Sequence, residues 1–266
     1  MGSALDDVES TLPERGLGDI LNETFVIYGR HFRKFLGLAA VVQVPAIAAL
    51  LTPIENLAIY IILNLIILFA LVSIFGATIY AVGQHYVTDS VTIVDCYRRL
   101  AWRLISMAIL AAIVAAITAI GLLLMGVMGI TPISLIVAFT LMLGAYIVPA
   151  MAGPVVIVEG ARATASLSRT FELAGEHILR LVGHMAIYLL VAVGLGIVLF
   201  LPFAFFLPSD VDTLSRAFVV VSLMGSAIIV PPVVCIAITL LYYDLRVRNE
   251  NYNIEKLSQE LGLAAT

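Results

Sequence analysis

The chain has 266 residues, of which 62% are hydrophobic and 12% charged, with a mean hydropathy of +1.11. Water-soluble domains carry roughly 25% charged residues, so an ordinary soluble enzyme and a disordered chain are both excluded. The 14 Lys and Arg against 18 Asp and Glu leave a net charge of -4, which argues against nucleic acid, and Cys96 and Cys235 cannot make a disulfide scaffold.

Residues 1–16 are acidic and polar, lack the basic start and cleavage site of a secretory signal, and are predicted to form a disordered tail. In Leu17–Phe35, Leu17, Ile20, Leu21, Phe25 and Tyr28 recur at helical spacing opposite Asp19, Glu23 and Arg30. That pattern predicts a helix lying in a membrane interface. Five charge-free runs follow: Phe35–Ile54, Asn56–Thr88, Leu104–Val158, Leu181–Ser209 and Ala217–Tyr243. A helix needs about 20 apolar residues to cross a hydrocarbon layer of ~30 Å. The third run is too long for one crossing and is broken at Gly129-Ile130-Thr131-Pro132, so it reads as a hairpin. The predicted spans are therefore 35–53, 57–82, 104–129, 133–157, 181–207 and 217–243. The runs are apolar at nearly every position rather than every second one, which excludes a membrane β-barrel.

Between the runs, Ser90–Arg103 reads as a shorter surface helix carrying Trp102. Thr164–Arg180, with Leu167, Phe171, Leu173 and Ile178 on its apolar side, reads as a third. Residues 250–266 are predicted to form a short helix capped by Asn253, with Ile254, Leu257 and Leu261 on one side. Thirteen of the basic residues fall on the side of the two termini and Arg216 alone on the other. The positive-inside rule then places both termini in the cytoplasm of a cell whose cytoplasmic membrane holds the chain.

Thr24-Phe25, Gly29, His31 and Gly37 match Thr170-Phe171, Gly175, His177 and Gly183 at one fixed offset. The expected fold is an all-α, polytopic bundle of six transmembrane helices, built as three copies of interfacial helix plus transmembrane hairpin. It occupies residues 17–249, between the tail and the short C-terminal helix.

The segment Gly16-Leu17-Gly18-Asp19-Ile20-Leu21-Asn22-Glu23-Thr24-Phe25, the proline Pro45, and Pro154-Val155-Val156-Ile157-Val158-Glu159-Gly160 carry a resemblance. So do Leu167-Ser168-Arg169-Thr170-Phe171-Glu172-Leu173, Tyr242-Tyr243-Asp244-Leu245-Arg246-Val247-Arg248 and Tyr252-Asn253-Ile254-Glu255. Together the chain resembles the membrane domain of glycerophosphodiester phosphodiesterases and the related six-span proteins. The resemblance implies a membrane fold and a link to phospholipids. The catalytic barrel, which carries the family's hydrolase activity, is absent from this sequence.

Three groups of candidate residues follow. Arg30, Arg33, Lys34, Arg98, Arg99, Trp102, Arg103, Arg169 and Arg180 are candidates for binding anionic headgroups or a partner, although retaining topology explains such charges equally well. Gln43, Pro45, Asn64, Pro149, Pro231 and Pro232 mark broken helices that would suit a translocation path, or kinks that merely shape the bundle. Glu159, Asp244, Arg246 and Arg248 read as structural ion pairs. Alanines from Ala108 to Ala119 offer a close-packing face. His31 and His177, with no acid judged to lie at ligand spacing, predict no metal site, and no cofactor is expected. Enzyme motifs such as Gly-x-Ser-x-Gly or His-Glu-x-x-His are missing. The sequence thus points to a non-enzymatic membrane protein that engages phospholipids, a protein partner or a second copy through basic surface helices. A transporter or lipid translocator working through the kinked spans is the alternative.

Overall fold

Residues without a polar face cannot leave backbone groups unpaired in lipid, and helices pair them internally. A computed structural model describes residues 12–50, 57–129, 131–205 and 213–263, and among these the chain is helical with no strand. The helices are α1 (Leu17–Arg30), α2 (Phe32–Leu50), α3 (Leu57–Thr88), α4 (Ile93–Met128) and α5 (Pro132–Pro154), then α6 (Ala163–Ala174), α7 (Ile178–Phe205), α8 (Thr213–Glu250) and α9 (Ile254–Leu261). A π-helical segment, Val155–Glu159, prolongs α5, and a 3-10 turn, Gly175–His177, joins α6 to α7.

Among the described residues, five stretches are long and apolar enough to cross a membrane: Leu65–Thr88, Ile93–Met128, Pro132–Glu159, Ile178–Leu201 and Gly225–Glu250. These are the helices of a multi-pass membrane protein. Outward-facing side chains such as Trp102, Ile105 and Leu179 are strongly exposed, as suits a lipid-covered surface and not a wet one. The consecutive helices α2–α3, α4–α5 and α7–α8 pack as pairs, and α8 also packs on α1, α2 and α3. The α4–α5 turn is set by Gly129, whose φ of 69 ends α4. Thr131 then caps α5 by accepting from the Ser134 N–H.

Two expectations differ from the structure. The stretch Ser90–Arg103 is not a separate surface helix, because α4 runs unbroken from Ile93. No glycine or proline falls between Ile93 and Ile120, so nothing interrupts the hydrogen-bond ladder. By contrast, α1 stops at the His31 turn and α6 at Gly175. The predicted tail is not loose throughout, since Leu12 and Arg15 are buried against the bundle; residues 1–11 lie outside those described. The ends of two predicted spans, 51–53 and 206–207, also lie outside them.

Close packing falls on particular glycines. A Cβ at Gly153 of α5 would overlap the Phe75 ring of α3. A Cβ at Gly83 would overlap Leu261, through which α9 seats itself beneath α3. We expect Gly153→Val to lower stability by about 1–3 kcal/mol in SDS-titrated unfolding. Adding Phe75→Ala should recover part of that loss, although Phe75→Ala alone destabilises.

Candidate functional site

A proline inside a helix has no N–H to donate and leaves the carbonyl four residues earlier without its partner. Pro149 and Pro154 do this in α5, and Pro231-Pro232 in α8. The carbonyl released by Pro231 is that of Ala227, and Gln43 Nε2 of α2 donates to it at 3.4 Å. The Tyr28 hydroxyl of α1 donates to Ile229 O at 3.2 Å in the same kink. Burial pushes the Tyr28 pKa up to about 12, so the hydroxyl keeps its proton at any physiological pH.

Beside these kinks lies a cavity of about 1420 Å³. Its wall comes from α2, α3, α4, α5, α7 and α8, with Phe75, Met107, Pro149, Gly196 and Pro231 among its members. Among the described residues, Gln43, Thr118, Tyr146 and Ser226 are its polar side chains, and no charged residue lines it. Ala111, Ala115 and Ala119 of the alanine stripe face this space. Part of that stripe therefore widens a chamber instead of joining two helices. Of the predicted path residues, Gln43, Pro149 and Pro231 line the cavity, while Pro232 is buried beside it. Pro45 and Asn64 have side chains outside the described set.

The charged residues gather at the opposite extreme of chemistry, where α8 ends. Arg246, 6% exposed, donates to both carboxylate oxygens of Glu260 at 2.7 and 3.0 Å, and to Glu250 at 3.0 Å. It also donates to the Tyr242 hydroxyl at 3.1 Å and stacks on Tyr252, 3.8 Å from the ring centroid. Tyr242 donates to Glu159 at 2.8 Å, and Arg169 bridges Glu159 at 3.2 Å to Glu250. Burial raises the Tyr252 pKa, so its hydroxyl remains a donor to Glu260 at 2.7 Å.

Two residues earlier, the Asp244 side chain is fully buried. It accepts from the Arg15 backbone N–H at 2.7 Å, from Arg180 at 2.9 Å and from Arg248 at 3.1 Å. Arg248 also pairs with Glu14 at 2.6 Å. Glu159, Asp244, Arg246 and Arg248 thus sit in two adjoining networks. Glu14, Arg15, Tyr242, Glu250, Tyr252 and Glu260 belong to them too, none of them marked as an ion-pair residue by the sequence reading. The i,i+4 spacing of Arg246 and Glu250 is the signal that was there to be read.

The proposed headgroup residues are largely engaged inside the protein. Arg99 donates to Glu260 O at 2.8 Å and Arg103 to Gly160 O at 3.0 Å. Arg30 pairs with Asp89 at 2.6 Å, and Arg98 with Asp95 at 3.6 Å on an exposed surface. Arg169 and Arg180 serve the two networks, while Arg33, Lys34 and Trp102 are exposed. No protein-family model matches the chain, and no curated protein or solved structure matches it.

Removing one partner of a buried ion pair strands the other in a poor solvent, at a cost of about 3–5 kcal/mol. Arg246→Met is expected to lose that much in the SDS titration. Arg98→Gln, breaking an exposed pair, should change stability by no more than about 1 kcal/mol.

Proposed function

We propose that the protein is a non-enzymatic, six-span protein of the cytoplasmic membrane that holds phospholipid acyl chains in its central cavity. The observation that carries this reading is the cavity's size and apolar wall. The cavity opens to the surroundings of the bundle, and an apolar wall in contact with hydrocarbon is covered by apolar matter. In a bilayer, that matter is acyl chain. A link to phospholipids also follows from the resemblance to the phosphodiesterase membrane domains.

Several observations support the six-span topology. Residue 15 meets Asp244 at the end of α8, so the two described ends of the chain lie together. Five crossings would separate them; α2, about 28 Å long at 1.5 Å per residue, supplies the sixth. The basic loops orient this shared end towards the cytoplasm. His31 and His177 mark the matching breaks after α1 and α6, which supports a repeat, with its middle surface helix fused into α4.

The second reading, passive lipid translocation, is favoured by the position of Gln43, Pro149 and Pro231 on the cavity wall. The described part of the wall carries no carboxylate or base that would couple movement to an ion gradient.

Native mass spectrometry of the purified protein should show retained phospholipid. Gly196→Phe, at a site where a Cβ meets nothing within 4 Å, should reduce the lipid-bound fraction several-fold without unfolding the chain; undiminished lipid would refute the cavity as its seat. Scrambling of a fluorescent phospholipid in proteoliposomes decides the second reading, which fails if the rate equals that of protein-free vesicles. For topology, cysteines at positions 55, 130 and 210 should react with an impermeant maleimide on intact cells. A cysteine at position 262 should react only after the cells are opened.

A further inference from the structure

The turn that ends α1 brings His31 to the end of α3. His31 Nε2 lies 3.1 Å from His85 Nδ1, with the rings edge to face. One turn beyond His85, Asp89 places Oδ1 3.5 Å from the same Nδ1. All three potential ligand atoms lie within 4.8 Å of one another. In a tetrahedral zinc site with bonds of ~2.0–2.1 Å, neighbouring donor atoms stand ~3.3 Å apart. Two of the three edges therefore already have about the length that a shared metal requires.

Further features point the same way. The donors sit at the C-terminal end of α3, where the helix dipole favours a cation. Asp89 holds a φ of 48, a left-handed conformation that is costly for a residue with a Cβ. Arg30 donates to its Oδ2 at 2.6 Å, which leaves Oδ1 turned towards His85. Such an outer contact orients a ligating carboxylate. The Asp89 side chain is 59% exposed, so a metal ion has access from solution.

We propose that His31, His85 and Asp89 bind Zn²⁺ through Nε2, Nδ1 and Oδ1, with water at a fourth position. The ion would staple the α1–α2 corner to the end of α3. Arg30 beside the carboxylate makes the metal exchangeable rather than permanently held. The site stands apart from the lipid cavity, and its failure would leave that reading untouched.

Tag-free protein in detergent, stripped with EDTA and dialysed against ZnCl₂, should take up one Zn²⁺ per chain. His31→Gln and His85→Gln should each weaken uptake by at least about 10- to 100-fold, and His177→Gln should leave it unchanged. A check on the wild type alone is protection from diethyl pyrocarbonate: Zn²⁺ should shield His31 and His85 but not His177. Absence of stoichiometric uptake, or equal loss in His177→Gln, would overturn the proposal. So would unshielded His31 and His85.

Discussion

A charge in a low-dielectric interior must meet its counter-charge or be expelled, and the last turns of α8 obey that rule. Arg246 and Asp244 are buried where a membrane helix leaves the hydrocarbon. Their partners come from far apart in the chain: Arg15 before α1, Glu159 after α5, Arg180 on α7 and Glu260 on α9, while Arg169 on α6 joins the same network through Glu159 and Glu250. Hydrophobic burial gives little reason for one membrane helix to prefer another, because lipid is equally apolar. Here the ion pairs supply the specificity, and one end of the bundle becomes a fixed plate.

The middle of the bundle follows a different rule. Prolines in α5 and α8 remove ladder hydrogen bonds, and Gln43 and Tyr28 cover carbonyls in the α8 kink. Alanine and glycine at the wall, including Ala111, Ala115 and Gly196, do not fill the space that remains. The small residues and kinks that build close contacts elsewhere, as at Gly153 against Phe75, here leave a chamber. The difference lies in what stands opposite: an aromatic ring in one case, another small residue or a bend in the other.

The helical, membrane-spanning character was legible because a charge-free run of about 20 residues has few other physical meanings. The break at Gly129-Ile130-Thr131-Pro132 was equally plain, since it combines a left-handed glycine with a capping threonine and a proline. What eluded sequence reasoning were relations across the chain. Periodicity cannot say that Arg15 reaches Asp244, or that the alanine stripe faces a void. The continuity of α4 was missed because a polar stretch suggested a surface helix, whereas only a helix breaker would have made one. His85 and Asp89, spaced i,i+4 at the end of α3, were an acid at ligand spacing already visible in the sequence. Their third member, His31, required the fold.

The distribution of charge also changes where the proposed lipid recognition must be sought. Counted along the sequence, the basic residues form a collar suited to anionic headgroups. In space, Arg99 and Arg103 are bound to backbone carbonyls, and Arg169 and Arg180 to carboxylates. A guanidinium already desolvated and paired has little left to offer a phosphate, since the exchange would strand its present partner. Exposed Arg33 and Lys34 can attract an anionic leaflet, each worth about 1 kcal/mol, which places the protein at a surface without selecting a molecule. Selection by shape needs a concave site, and the apolar chamber provides one. The case for a lipid ligand therefore moves from the headgroup to the chains.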